Sequence, residues 1–215
     1  MPGGIAVSEH ERWNSRYAVA DYVFGTQPNA FLKAEARRLK PGWRVLAVAD
    51  GEGRNGVFLA EKGMLVHSID FSENAQEKAR RLARARNVDV EFERADILNW
   101  KWPENHYDAV VAIFIQFTPP DDRAMLFEKM KRAVKPGGLI LMEGYGPKQM
   151  IYKTGGPGIL EQLTTRELLE QSFADWEIID LEDYECTLNE GTRHSGTSHL
   201  IDIVARKPKE EFPED

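Results

Sequence analysis

The residue pattern predicts a doubly wound α/β domain built on a mostly parallel, seven-stranded sheet with one antiparallel strand near its C-terminus. Three observations carry that expectation. Nearly continuous apolar runs at 43–49 (WRVLAVA) and 107–115 (YDAVVAIFI) are what strands buried on both faces require. Helical stretches separate successive strand-like runs, and parallel neighbours in one sheet need such crossovers. The last two runs, 176–188 and 198–207, have only a loop between them, so they should pair antiparallel.

Residues 1–33 mix Trp13, Tyr17, Tyr22, Phe24 and Phe31 with charges, and predict a helical cap of two short helices joined through Gly25 and Pro28. Pro41-Gly42 turns the chain into the first apolar run. Residues 50–63 (DGEGRNGVFLAEKG) then read as a glycine-rich turn entering a helix that stops at Gly63. MLVHSID (64–70) is the second strand. The next helix has Ser72 as N-cap and a stripe of Ala75, Ala79, Leu82 and Ala83 at helical spacing. VDVEFERAD (88–96) alternates as a half-buried strand does. After 107–115, Pro119-Pro120 breaks the chain, a helix covers 121–134, and the KPGG turn delivers the strand 139–145. Residues 146–158 form a glycine-rich loop, either a lid or a plain connector. A helix over 164–173 has a capping box from Thr164 to Glu167. These elements make one domain over 1–215: the cap at 1–33, the α/β core at 40–206, and an acidic tail at 207–215 expected to be disordered.

Composition bounds the function. Among 215 residues, 35 acidic side chains outnumber 28 basic ones, for a net charge of −7, which argues against a general binder of nucleic acid. The single cysteine, Cys186, forms no internal disulfide and suits a reducing compartment. The start MPGGIAVSEHERW lacks the features of a secretory signal, and no apolar run reaches membrane-span length, so a cytoplasmic location away from membranes is expected. His10, His67 and His106 have no partner at metal-ligand spacing, and no metal is expected. No heptad or apolar stripe defines an oligomeric state.

The chemistry is carried by Gly51-Glu52-Gly53-Arg54-Asn55-Gly56, a G-x-G-x-x-G segment between a predicted strand and a predicted helix. Asp70 stands 19 residues after Gly51, ending the next strand. Without side chains the turn lets a ligand approach the backbone, and the strand-end carboxylate accepts hydrogen bonds from ribose hydroxyls. This pattern fits an adenosine cofactor, whether a nicotinamide dinucleotide or S-adenosylmethionine. Asp70 also suits a carboxylate at a helix N-terminus, although its spacing from the glycines favours the ribose role, and Asp96 equally suits turn chemistry.

GEGRN, IDFS, ADILNW, YDAVVAIF and KPGG together resemble the class I S-adenosylmethionine-dependent methyltransferases, with their Rossmann-like fold, across most of 40–206. With WNSRY at 13–17, the sequence is most similar to the small bacterial group that includes the tellurite-resistance methyltransferases. The resemblance implies that S-adenosyl-L-methionine is the cofactor. It implies that backbone around Asp50, Gly51 and Gly53, with Asn55 on the same turn, faces the methionine portion; that Asp70 holds the ribose and Phe71 lies against the adenine; and that Asp96 and Ile97 contact the adenine. Arg16 and Tyr17 would meet the methionine carboxylate, and Ile113 would line the transfer cavity. The sequence departs from the family pattern at Ala47, where an acidic residue is common, and at Ala49, where a glycine is common.

On the acceptor side, Gln116, Tyr145, Tyr152 and Arg193 fall on loops at carboxyl ends of strands, where ligands of open α/β sheets sit. Arg193 and His194 together suit an anionic acceptor, and His194 is the candidate general base, with an inert surface histidine as the alternative. His199 reads as structural. IFIQFTPP replaces the Asn/Asp-Pro-Pro-aromatic segment that similar enzymes use on nucleobase amines, which disfavours nucleobase methylation; the resemblance implies a small-molecule acceptor such as a thiol or chalcogen oxyanion. The alternatives are an NAD-dependent oxidoreductase using the same fingerprint and a non-catalytic S-adenosylmethionine-binding domain.

Overall fold

The computed structural model describes residues 8–191 and 193–209. Its seven strands are β1 (Arg44–Val48), β2 (Leu65–Asp70), β3 (Glu91–Arg94), β4 (Tyr107–Ile113), β5 (Val134–Tyr145), β6 (Glu177–Glu190) and β7 (His194–Arg206). They form one sheet in the order β3-β2-β1-β4-β5-β7-β6, parallel except that β7 runs antiparallel to both its neighbours. The expected fold is the observed one. The chain order reverses between β1 and β4, which opens a crevice at their carboxyl ends.

Strand alternation sorts the apolar residues onto two faces. Leu46, Val48, Val110, Ala112, Ile140 and Ile203 pack with Leu126, Phe127 and Met130 of α5 (Pro120–Ala133) and Leu169 of α7 (Arg166–Ser172). Val45, Ala47, Ala109, Val111 and Leu141 face the other way, onto Leu32 of α2 (Ala30–Glu35) and Phe58 and Leu59 of α3 (Arg54–Glu61). This is why the central strands show no polar alternation: both of their faces are core.

The cap is α1 (Glu9–Tyr17), closed by a capping box between Ser8 and Glu11, followed by an irregular strap to α2. Asn14 ties α1 to α4 (Glu73–Arg86): its side-chain oxygen accepts from Ser72 Oγ and from the Asn74 N–H. Ser72 caps α4 as expected, accepting from the Ala75 N–H.

Several boundaries differ from expectation, among them β5, which starts at Val134 and so contains the KPGG segment expected as a turn. The second cap helix runs past 33 into a 3-10 turn at Ala36–Arg38. Thr165, not Thr164, caps α7; Thr164 is buried, where its Oγ1 accepts from Gln116. The last two strands continue toward each other until only Gly191, residue 192 and Arg193 separate them, because their register pairs Glu190 with His194. The loop after β5 contains the short α6 (Gln149–Tyr152), pinned beneath by His199, whose Nδ1 accepts the Lys148 N–H and whose Nε2 meets Asp183 at 2.7 Å. Of the predicted tail, Lys207 is anchored to the carbonyl oxygens of Lys131 and Val134, and 210–215 lie outside the described residues. No helix of the described residues is long and apolar enough to cross a membrane.

Candidate active site

A cavity of about 340 Å³ occupies the crevice at the ends of β1, β2 and β4, roofed by α1 and the strap. Asp70 forms one wall. Its carboxylate accepts the Gly51 N–H at 2.9 Å and the Ser72 N–H at 2.8 Å, and burial raises its pKa to about 6 against those hydrogen bonds. Phe71, Ala95, Asp96, Ile97 and Leu98 line a mostly apolar slot beside it. Asp96 is exposed and also closes a turn, accepting from the Leu98 N–H and the Asn99 side chain.

Asp50 is placed by the third glycine. Its carboxylate turns back to accept the Gly56 N–H and the Ser68 hydroxyl, and a Cβ on Gly56 would stand 2.5 Å from its Oδ2. Asp50 therefore does the work of a cap on α3, whose own N-cap, Gly53, offers no side chain. Burial raises the Asp50 pKa to about 7. Two non-glycine residues at the rim adopt left-handed backbone, Ala49 (φ 48°) at the exit of β1 and Phe114 (φ 55°) at the exit of β4. Ala49 thus holds a glycine's conformation at the position where the resembling family commonly has glycine.

The far side of the cavity is aromatic. Trp13 stacks on Tyr17 at 5.8 Å, and His194 lies between Phe24 (4.5 Å) and Phe114 (4.4 Å). Burial, with Arg54 and Arg16 nearby, lowers the His194 pKa to about 3. The imidazole is neutral at physiological pH and far too weak a base for the role expected of it.

These residues fit an adenosine cofactor: a buried carboxylate at the end of β2 retains acceptor capacity beyond its two N–H bonds, and an apolar slot for a base adjoins it. Residues 45–138 match the family described as a methyltransferase domain. That segment is similar to a methyltransferase domain, and the sheet around it has the Rossmann-like methyltransferase fold. The chain is 34% identical over 116 residues to phosphoethanolamine N-methyltransferase 1 of Arabidopsis thaliana, covering 52% of this chain and 23% of that one. The chain thus spans under a third of the length of the phosphoethanolamine enzymes it matches. Among solved structures it resembles the N-methyltransferase NodS of Bradyrhizobium japonicum in complex with S-adenosyl-L-homocysteine (TM-score 0.71, 13% identity, 93% and 98% of the two chains). It also resembles TehB of Haemophilus influenzae (TM-score 0.69, 19% identity, 92% and 66%).

Tyr17, Asp50, Gly51, Asn55, Asp70, Phe71, Asp96, Ile97, Ile113 and His194 all line the cavity, as their sequence positions led us to expect. Six expected residues do not. Gly53 faces α4, where an added Cβ would lie 2.6 Å from Ala79 Cβ, so it serves helix packing. Arg16 stacks its guanidinium over Trp13 at 4.3 Å, outside the lining. Gln116 braces the ends of β5 and the loop before α7, donating to Tyr145 O and Thr164 Oγ1. Tyr145 is buried beneath Phe114, its ring stacked at 4.6 Å. Tyr152 donates to Glu185 at the surface, so the 146–158 loop contributes nothing to the cavity wall. Arg193 is exposed at the hairpin turn. Spacing alone did not single out Phe24, Glu52, Phe114 and Phe117 as site residues; the doubled proline after Phe117 marked the break that brings 114–119 to the rim.

Proposed function

We propose that this chain catalyses transfer of the sulfonium methyl of S-adenosylmethionine to a small acceptor that presents a free lone pair at neutral pH, of the thiol or chalcogen-oxyanion kind. The observation that carries the reading is the neutral His194 in an aromatic wall of a cavity of about 340 Å³. That volume lies at the low end for small-molecule sites, and much of it is needed for an adenosine ligand. The other histidine in the lining, His10, stands edge-on to Phe71 at 5.4 Å.

When bound beside Asp50, Gly51 and Asp70, the cofactor would supply an electrophilic sulfonium methyl group with a neutral thioether as its leaving group. Asp70 orients the ribose end through an already fixed carboxylate. Tyr17, Trp13 and Phe24 exclude water from the transfer path, where alignment and desolvation supply much of the acceleration. Phe114, held in its left-handed backbone, sets the distance of the acceptor wall.

Calorimetric titration with S-adenosylmethionine, S-adenosylhomocysteine and NAD comes first, with the two adenosyl compounds expected to bind and NAD not. Transfer is then measured to benzenethiol, selenite, tellurite and phosphoethanolamine, the last because the curated relatives bear its name. Transfer to benzenethiol or an oxyanion with no inflection between pH 7 and 8 attributable to His194, shown by an unchanged profile in His194→Phe, supports the reading. Exclusive NAD binding overturns it, and binding of the adenosyl compounds with no transfer to any acceptor replaces it by a non-catalytic binding domain.

A further inference from the structure

Two charged side chains on the glycine turn, Glu52 and Arg54, are buried. Their polar atoms reach away from the cofactor end. The Glu52 carboxylate accepts the backbone N–H of Val23 at 3.1 Å and of Phe24 at 3.2 Å, and is balanced by Lys78 Nζ at 2.8 Å. Lys78 also donates to the Asp21 carbonyl. Arg54 pairs with Glu190 at 2.7 Å, at the end of β6, and donates to the Phe24 carbonyl at 3.4 Å. Glu190 in turn accepts the Ala30 N–H at 2.9 Å, at the start of α2. The strap is therefore gripped on both sides of Phe24, by its N–H groups and by its carbonyl. The hairpin presses on the same point: a Cβ on Gly191 would stand 2.6 Å from Phe24 Cα.

Phe24 covers His194 and the Trp13–Tyr17 pair, so its position decides the shape of the acceptor wall. We propose that Glu52 and Arg54 are positioning residues that hold the Phe24–His194–Phe114 wall against the turn presenting Asp50 and Gly51, so that the acceptor's half of the cavity is assembled from the cofactor's half. The inference rests on the methyl-transfer reading for its consequence, since the wall matters to turnover only if an acceptor docks there. Its chemical basis is independent of that reading: a buried carboxylate taking two adjacent N–H groups fixes a backbone that has no sheet or helix to fix it, and a buried arginine–glutamate pair ties the end of β6 to the start of α3.

The test uses the whole chain with Glu52→Gln, Arg54→Met and Arg54→Lys. Glutamine leaves one of the two strap N–H groups without an acceptor, methionine removes the hairpin and Phe24 contacts, and lysine retains the charge. In the first two variants S-adenosylhomocysteine affinity should stay within threefold of wild type. KM for benzenethiol should rise at least tenfold with kcat within threefold, and the nuclear Overhauser contact between the Phe24 and His194 rings should be lost. Arg54→Lys should recover most of that contact, and it carries the measurement if the methionine variant does not fold. Cofactor affinity falling as far as acceptor KM rises, or an intact ring contact in Glu52→Gln, overturns the proposal. If wild type shows no transfer to any acceptor, the methyl-transfer reading fails, and the ring contact with cofactor affinity still decides the positioning roles.

Discussion

The two sides of the cavity are built by different means. The side toward β2 draws Asp50, Gly51, Asp70, Phe71, Asp96 and Ile97 from one stretch of chain, and its polar groups are fixed by backbone N–H donors close in sequence or paired across adjacent strands. The opposite wall brings Trp13, Phe24, Phe114 and His194 together from four distant segments, held by side-chain contacts such as Glu52 to the strap and Arg54 to Glu190. The first construction follows from strand–turn–helix geometry and leaves little freedom to vary. The second depends on pairs that can change one at a time while the sheet stays intact, which suits a scaffold that keeps one cofactor and varies its acceptors.

Asp70 is where breaking the first side should cost most. Replacing it by alanine removes a charged acceptor that serves two backbone N–H groups and, on the reading above, the ribose hydroxyls. S-adenosylhomocysteine affinity should fall roughly 100-fold, about 2.7 kcal/mol, by calorimetry. Unchanged affinity would mean that the ribose lies elsewhere and that the local construction has been misassigned.

Gly53 sharpens the same comparison, because it belongs to the cofactor fingerprint by spacing and to helix packing by position. Gly53→Ala places a methyl against Ala79 on a backbone with φ 82°, and should destabilise the fold by about 2 kcal/mol, seen as a lower thermal midpoint. Cofactor affinity at a temperature where the variant is folded should remain within threefold. The pair of outcomes separates the three glycines: Gly51 lines the cavity, Gly53 admits α4, and Gly56 admits the Asp50 carboxylate.

That division explains what was legible in the residue order. Strand order, the antiparallel β7, the glycine turn and Asp70 all follow from local periodicity and spacing, which the backbone obeys directly. Gln116, Tyr145 and Arg193 were placed on the correct strand ends, but the direction of a side chain there depends on partners such as Thr164 and Phe114, which no spacing rule specifies. His194 shows the same limit: its place in the lining was foreseen, yet its neutrality arises from Phe24 and Phe114 and the nearby Arg54 and Arg16, far away in the chain.

The smallest effect concerns the acids behind the acceptor wall. Glu143 and Asp202 stand opposite each other on β5 and β7, with Asn29 donating to Glu143, Tyr184 donating to Asp202 and Glu190 adding further negative charge. Burial and mutual repulsion raise Glu143 well above the usual carboxylate range, and burial raises Asp202 to about 7. An acid whose pKa is higher folded than unfolded binds its proton more tightly in the native state. Its contribution to stability is therefore complete below the unfolded pKa and is lost as pH rises through the folded one. For Asp202 that loss should amount to roughly 1 kcal/mol between pH 6 and pH 8, with Asp50, raised to about 7 on the cofactor side, acting in the same direction. Asp202→Asn keeps an acceptor for the Tyr184 hydroxyl and removes the second titrating charge beside Glu143, so its thermal midpoint should fall less than that of wild type over this interval. Saturating S-adenosylhomocysteine should leave the difference between the two slopes in place, because Asp202 lies outside the cavity lining. A difference abolished by the ligand would show that the acids behind the acceptor wall respond to the cofactor side, and that the two constructions are more tightly joined than their separate origins imply.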